Sequence, residues 1–320
     1  MQRRQFMKYS VSLAGAFASL NVQGTPTSKT PRVSLVRDPG CFNGDRIDRR
    51  RVGELLDKLL RVQFDVADPV DVFRRYFTPG ERIGIKVNCL SGRRMSTHVE
   101  LVDKIVERLI SADIPAEDII IWDRMNEDLR RGGFELRSPG EAVACAGCDV
   151  LGYESKITVH RSIGSLFTKA VTRLCTAQIN VPVLKDHGIV GVTIGMKNFF
   201  GAIHNPNKYH PNRGDPYVAD LYSHPDIGGK VRMTIVDALE VQPEGGPPYQ
   251  PEWVEKYGGL LTGNDPVALD RVGWDIIEKR RNQRGLPSLK EANREPTYIH
   301  TAADLNLGVD DLSAINIRRS

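Results

Sequence analysis

The sequence predicts an α/β protein: a mainly parallel sheet flanked by helices, with a Rossmann-like core and irregular insertions. Two observations predict this fold. Apolar runs of strand length alternate along the chain with segments of helical period. The predicted strands are also apolar throughout, which is typical of parallel strands covered on both faces. The chain is long enough for a sizeable core, and its length alone allows one large domain or two. We expect a single α/β domain over residues 32–320.

The elements follow in a regular order. Strands are predicted at residues 32–37, 82–88, 118–123, near 150 and 157, and at 179–187, 231–237, 260–262 and 312–317. Helices are predicted at 47–64, 68–77, 99–110, 139–145, 166–174, after Gly191, and at 266–279 and 296–305. Asp265 is a natural N-cap for the helix that begins at Pro266.

Residues 1–31 resemble a twin-arginine export signal followed by a tether. Arg3 and Arg4 are followed by Lys8 and by an apolar stretch, up to Leu20, that is too short and too rich in small residues to span a bilayer. An ordinary basic N-terminus is the alternative. We expect export to the periplasm by the twin-arginine route, with no transmembrane span beyond the leader.

The charge of the chain is nearly balanced. The formal net charge is +4, and it falls when Arg3, Arg4 and Lys8 leave with the leader. Nucleic-acid-binding proteins usually carry a much stronger basic excess. We therefore expect a small anionic molecule as the partner, with a redox or accessory protein as a further candidate, and no nucleic acid.

Five cysteines are scattered along the chain. Their spacing is not the tight run of a ferredoxin-type cluster. Cys145 and Cys148 form a C-x-x-C pair, but no second pair or nearby His completes a zinc site. This pair is interpreted as small residues that pack a helix end, with a disulfide as the alternative.

The segment from Ile179 to His204 carries most of the chemistry. A buried strand ends in Lys185 and His187, which are two residues apart and therefore point to one face. Thr193, Lys197 and Gly201 recur four apart and are expected to share a helix face, with Asn198 beside them. Turns at the carboxyl ends of strands are where α/β proteins bind ligands. Solvated side chains and a helix cap are the structural alternative.

Other predicted strand ends carry similar groups. Lys86 and Asn88 end one strand with His98 beyond it, and Asp123 and Asp237 end two more. If the strand ends meet at one edge of the sheet, they line a cleft with Lys185, His187 and Lys197. A cationic cleft suits a carboxylate or phosphate. A transition metal is the alternative, held by His187, His204 and His210. The polar loop 205–210 is either a lid or a plain surface loop.

These motifs resemble a known family. The residues 85–88, the run from Asn180 through Lys185 to His187, Thr193, and Met196-Lys197-Asn198 resemble the bacterial and archaeal family known as domain of unknown function 362. Residues 234–237 and 264–270 are similar to its later blocks. The resemblance implies an iron–sulfur association, because many members carry a ferredoxin-type module; this chain has no such cysteine run.

A more distant resemblance is to the nickel-pincer lactate racemases, which have a similar Lys-x-His strand end. It implies acid–base or hydride chemistry on a small hydroxy acid, with His187 and Lys197 as the first candidates for catalytic residues. The main hypothesis is an exported protein that binds a small anion or a metal-containing cofactor at the sheet edge, as an oxidoreductase or an isomerase. In it Lys86, Asn88, His98, Asp123, Lys185, Thr193, Asn198 and Asp237 bind the ligand. A non-catalytic accessory protein that holds a metabolite or metal is the alternative.

Overall fold

The computed structural model describes residues 30–92, 94–140 and 142–320. The twin-arginine motif and most of the predicted leader lie outside the described residues. The strands are β1 (Arg32–Arg37), β2 (Phe42–Asn43), β3 (Arg46–Ile47), β4 (Ile83–Lys86), β5 (Ile119–Asp123), β6 (Ala144–Gly147), β7 (Thr158–His160), β8 (Ile163–Ser165), β9 (Ala177–Asn180), β10 (Val183–His187), β11 (Gly191–Thr193), β12 (Val231–Gln242), β13 (Glu255–Gly263) and β14 (Asn316–Arg319).

The helices lie between these strands. They are α1 (Arg49–Phe64), α2 (Val70–Tyr76), α3 (Val99–Ser111), α4 (Asn126–Gly132), α5 (Cys148–Leu151), α6 (Gly195–Asn198), α7 (Tyr217–Tyr222), α8 (Pro266–Gln283) and α9 (Tyr298–Asp304). Within the described ranges, no helix is long and apolar enough to cross a membrane.

One mixed sheet organises the molecule. Its strand order is β14-β1-β13-β12-β9-β4-β5-β6. The half made of β12, β9, β4, β5 and β6 is parallel, whereas β13 runs antiparallel to both β1 and β12. The prediction of an α/β fold with a mainly parallel sheet is therefore confirmed. The hairpins β2–β3 and β7–β8 form two small separate sheets.

The long strand β12 changes its neighbour along its length. Residues 231–234 pair with β9, and residues 237–242 pair with β10, which follows β9 after a break at Val181 and Pro182. Strand β11 then returns antiparallel to β10. This arrangement carries β10 beyond the ends of the neighbouring parallel strands.

Apolar side chains alternate between two cores, one on each face of the sheet. Ile121 packs in the core that contains Leu56 of α1 and Leu101 of α3, while the next residue, Trp122, packs in the core that contains Ile277 of α8. This two-sided burial explains why the strands are apolar throughout.

Helix ends follow the capping chemistry of the sequence. The Asp48 side chain accepts hydrogen bonds from the first N–H groups of α1, and the Asp265 side chain accepts one from Ala268 N at 2.8 Å at the start of α8. The predicted N-cap at Asp265 is therefore confirmed.

Three predicted elements are wrong. Residues 144–147 form β6 rather than the end of a helix, because they pair in parallel with β5 and this tertiary pairing overrides the helical preference of Ala. The chain around Val150 is the short helix α5, not a strand. Thr193 lies on β11 opposite Lys185, so it does not share a helix face with Lys197 and Gly201.

Candidate functional site

A cavity of about 570 Å³ lies where the carboxyl ends of β4, β5 and β10 meet. Most of the predicted site residues line it: Lys86, Asn88, Asp123, Lys185, His187, Thr193, Lys197, Asn198 and His210. Lys86 is the last residue of β4, Asp123 the last of β5 and His187 the last of β10. The topology of the sheet thus gathers groups that are far apart in sequence.

Lys86 forms the floor of the cavity and is held by a buried polar network. Its Nζ donates to Asp123 Oδ1 at 2.7 Å, to Asn198 Oδ1 at 3.1 Å and to the carbonyl oxygen of Val87. The side chains of Lys86 and Asp123 are 1% and 8% exposed, so their charges compensate each other away from water. Lys86 is therefore a fixed, fully engaged cation.

Amide side chains extend this network. Asn198 Nδ2 donates to Asn180 Oδ1 at 2.8 Å, and Asn88 Nδ2 donates to Asn198 Oδ1 at 3.0 Å. The Oδ1 atom of Asn88 is buried and has no hydrogen-bond partner among the described residues. A buried acceptor of this kind is satisfied by a ligand or water that enters the cavity.

Lys185 comes from β10 and is tied to the loop after β4. Its Nζ donates to Ser91 Oγ at 2.6 Å and to the carbonyl oxygen of Met95 at 3.0 Å. Burial, together with the charge of Lys86, lowers the pKa of Lys185 to about 7. Lys185 thus joins two walls of the cavity.

His187 has a defined hydrogen-bonding polarity. Its Nδ1 accepts from the backbone N–H groups of Ile189 at 3.2 Å and Val190 at 3.3 Å. An Nδ1 that accepts carries no proton, so the neutral ring has its proton on Nε2. Burial lowers the pKa of His187 well below its usual value, and the charge of Lys197 lowers it further. The neutral imidazole therefore offers an Nε2–H donor.

His210 has the opposite polarity. Its Nδ1 lies 3.1 Å from the carbonyl oxygen of Pro206 and donates to it, which leaves Nε2 as an acceptor. Its ring stacks on that of His187, with centroids 5.3 Å apart. Burial lowers the pKa of His210 to about 4. Pro206, Asn207 and His210 all line the cavity, so the polar loop at 205–210 forms part of its wall.

Lys197 is the cavity lysine without a polar partner. Within the described ranges its Nζ makes no hydrogen bond or ion pair, and it lies 4.1 Å from the ring centroid of Phe200. Burial, together with the charges of Lys86 and Lys185, lowers the pKa of Lys197 to about 7.

His98 and Asp237 do not line this cavity, which corrects the expected single cleft. The reason is that β12 continues past Asp237 to Gln242, so Asp237 is not a strand end. Its carboxylate lies beside the start of α3. It accepts hydrogen bonds from the backbone N–H and from Nδ1 of His98, each at 2.8 Å. His98 lines a different cavity beside Glu240.

The three imidazoles expected as metal ligands are not gathered around one point. His204 packs edge-on against Tyr153, with centroids 5.1 Å apart, and it does not line the cavity. Across residues 30–92, 94–140 and 142–320, no group of three or more His, Cys, Asp or Glu side chains is placed to hold a metal ion.

The cysteines do not fit an iron–sulfur cluster either. All five are buried and none is in a disulfide, including Cys145 and Cys148. Cluster ligation requires several thiolates around one point, whereas the described residues contain no group of three or more Cys, His, Asp or Glu side chains that could hold a metal. The packing interpretation of the C-x-x-C pair agrees with this burial.

Two buried carboxylates that position the site were not predicted. Asp270 of α8 accepts from Gly195 N at 2.8 Å and from Met196 N at 3.1 Å, and so caps the helix that carries Lys197. Its signal in the sequence was an acid on a face of α8 that otherwise carries Val267 and Trp274.

The second is Asp186, which lies between Lys185 and His187 on β10. Its side chain points away from the cavity. Arg294 Nη1 donates to both of its oxygens, at 2.6 and 2.7 Å, and Gly246 N donates to it at 3.0 Å. This holds Gly246 and Pro247 in the cavity wall. A Cβ at Gly246 would lie 1.9 Å from the Asp186 carbonyl oxygen, so this approach requires glycine.

A family profile matches the chain. No curated protein matches the chain in sequence. The profile of the family described as Domain of unknown function (DUF362) matches residues 83–275, which is more than half of the chain and includes every cavity residue described above. The chain therefore belongs to the DUF362 family.

Proposed function

We propose that the cavity binds a small anionic molecule, a carboxylate or a phosphate, and that His187 and Lys197 carry out acid–base chemistry on it. The observation that carries this proposal is the buried amine of Lys197, which has no polar partner among the described residues and whose pKa is lowered to about 7. A buried charge without a partner is strongly unfavourable. An anion bound beside it would supply the missing partner.

The other charges of the cavity support an anion. Lys86, Lys185, Lys197 and Arg124 line it, whereas Asp123 is already engaged by Lys86. Asp128 is the other acid of the wall, and burial raises its pKa. Four cationic side chains thus face two acidic ones. The field inside the cavity is therefore positive.

The imidazole pair supports catalysis over simple binding. His187 offers an Nε2–H donor and His210 offers an Nε2 acceptor in the same cavity. The His187 donor can hydrogen-bond and stabilise one atom of a ligand while the His210 acceptor removes a proton from another, as an isomerase or an oxidoreductase acting on a hydroxy acid requires. A non-catalytic accessory protein would need the cations to hold its ligand, but it would not need a donor imidazole beside an acceptor imidazole.

Binding is tested with inorganic phosphate and with D- and L-lactate in thermal unfolding and calorimetry. We expect at least one of them to stabilise the protein, and Lys197→Met to abolish the effect. Lys290→Met is the matched control, because Lys290 is exposed and far from the cavity residues in sequence. No stabilisation by any of the three anions in wild-type protein would overturn the anion proposal.

Catalysis is tested by NMR of lactate in D₂O. An acid–base enzyme for this substrate class should exchange the Cα proton for deuterium, and His187→Gln should lose the exchange while it still binds the anion. Binding without exchange would favour the accessory-protein alternative. Elemental analysis of the same preparation tests the nickel alternative, since a stoichiometric metal would require ligands other than the three imidazoles considered above.

Export is a separate proposal. The pair Arg3–Arg4 and the apolar stretch behind it support the twin-arginine route to the periplasm. Cell fractionation of the tagged full-length chain should place it in the periplasm, and Arg3→Lys together with Arg4→Lys should retain it in the cytoplasm. Periplasmic protein from the double variant would contradict this route.

A further inference from the structure

The three cavity lysines differ in how their amines are used. Lys86 Nζ donates to Asp123, Asn198 and Val87, and Lys185 Nζ donates to Ser91 and Met95. Lys197 Nζ has no such partner within the described ranges and faces the Phe200 ring at 4.1 Å. Its side chain nevertheless lines the cavity and is nearly buried, with 8% of the residue exposed.

We propose that Lys197 is a nucleophile that forms an imine with the carbonyl carbon of a small 2-oxo acid. This inference rests on the proposed anion binding, because it assigns the carboxylate of the ligand to the cationic cavity and names the reactive group beside that carboxylate.

The chemistry of the amine supports this assignment. Only a neutral amine has the lone pair that attacks a carbonyl, and a free lysine is almost fully protonated near neutral pH. Burial and the neighbouring cations lower the pKa of Lys197 to about 7, so a large fraction is neutral at physiological pH. Burial also lowers the pKa of Lys185 to about 7, but two of its N–H groups are committed to Ser91 and Met95.

The wall around Lys197 suits a planar carbonyl compound. Phe200 provides an apolar surface beside the amine, and Thr193 and His187 add polar groups within the same cavity. The Lys86–Asp123 pair and the amide of Asn88 lie at the floor. A ligand with one apolar face, one carboxylate and one carbonyl oxygen matches these three kinds of surface.

The step balances without an oxidant. The Lys197 nitrogen attacks the carbonyl carbon, the π electrons move to the carbonyl oxygen, and one N–H proton passes to that oxygen to give a carbinolamine. The hydroxyl group takes a proton from solvent water while it is held by a hydrogen bond from His187 Nε2–H, and it leaves as water as the nitrogen lone pair forms the C=N bond. His210 Nε2 accepts the second N–H proton of Lys197 and returns it to solvent. The net change is one amine and one carbonyl converted to one imine and one water.

The experiment traps the imine by hydride reduction. Full-length protein is incubated with glyoxylate and sodium borohydride, digested, and mapped by mass spectrometry. We expect a single reduced adduct on Lys197, formed faster than on any exposed lysine, and no adduct at this position with borohydride or glyoxylate alone. Labelling that is spread over surface lysines and spares Lys197 would overturn the inference.

Variants keep the result interpretable. Lys197→Arg retains the positive charge but cannot form the imine, so it should fold, still be stabilised by phosphate and show no cavity adduct. Lys185→Met removes one of the cations that hold the carboxylate, so Lys197 should still be labelled but more slowly. Lys290→Met, at an exposed position, should be labelled as the wild type is. If the adduct in the wild type is on Lys185 and no adduct forms in Lys185→Met, the nucleophile is Lys185 and the proposal is rejected.

The two proposals fail in different ways. If phosphate or lactate stabilises the protein and no adduct forms at Lys197, anion binding stands and the imine inference is wrong. Butanal has no carboxylate and tests the opposite case. If it is trapped at Lys197 as readily as glyoxylate, and no anion stabilises the protein, Lys197 is a nucleophile but the anion proposal is wrong.

Discussion

The carboxylate of Asp270 accepts a hydrogen bond from the backbone N–H of Gly195 at 2.8 Å. A residue of α8 thus fixes the first turn of α6, and with it Lys197 and Asn198. We expect Asp270→Ala to lower the free energy of unfolding by about 1–3 kcal/mol, because two buried N–H groups lose their acceptor. Urea unfolding measures this change.

The control for this variant is Asp304→Ala. Asp304 is exposed at the end of α9, and its removal should change stability by less than about 0.5 kcal/mol. Phosphate stabilisation should also weaken in Asp270→Ala, since Lys197 loses its support. Equal stability of the two variants would contradict the capping role.

The buried pair Lys86–Asp123 gives a second prediction. Lys86→Met leaves the Asp123 carboxylate without its cation and should destabilise the protein by about 3–5 kcal/mol. Asp123→Asn in the same background removes that isolated charge and should restore part of the loss. A double-mutant cycle from denaturant unfolding measures the coupling. Additive effects would show that the two charges are independent.

The lowered pKa of Lys185 predicts a pH dependence of stability. From pH 7 to 10.5 the unfolded chain binds a proton at this lysine that the folded chain has released, so stability rises with pH in this window. Lys185→Met should remove a rise on the order of a few kcal/mol. Unfolding curves at several pH values measure it. If the free energy of unfolding of Lys185→Met changed with pH in the same way as that of the wild type, the lowered pKa of Lys185 would be contradicted. The control Lys290→Met should show the wild-type pH dependence.

His98 predicts a change of the opposite sign. Burial opposes protonation of its ring, but the charge and hydrogen bond of Asp237, helped by Glu240, raise the pKa of His98 to about 10. Its stabilisation is fully present below pH 6.5 and is lost as the pH rises through about 10. Relative to His98→Gln, the wild type should therefore be most stabilised at low pH. Lys290→Met, at an exposed position, should keep the wild-type profile.

Much of the architecture follows from local patterns. The apolar run at Arg32–Arg37, the amphipathic period of α3 and the Asp265-Pro266 start of α8 each predict an element that the structure contains. The strand ends at Lys86, Asp123 and His187 could also be predicted, because polar residues interrupt apolar runs at these positions. These features depend on residues that are close in sequence.

The remaining features depend on tertiary pairing. Asp237 ends the apolar run 231–237, yet β12 continues because β10 lies beside its second half. Ala144–Gly147 has little preference for a strand and becomes one only at the edge of β5. The wall formed by Gly246 and Pro247 depends on Arg294, which is over a hundred residues from its partner Asp186. No local pattern carries this information.

The alternation along β10 limits how this site can evolve. Lys185 and His187 face the cavity, and Asp186 between them is buried against Arg294 on the other side. A deletion or insertion of one residue upstream in this strand would exchange the two faces, placing a carboxylate among the cations and two bases against a guanidinium group. Relatives can therefore vary the chemistry here by replacing side chains, while the length of this segment must stay constant.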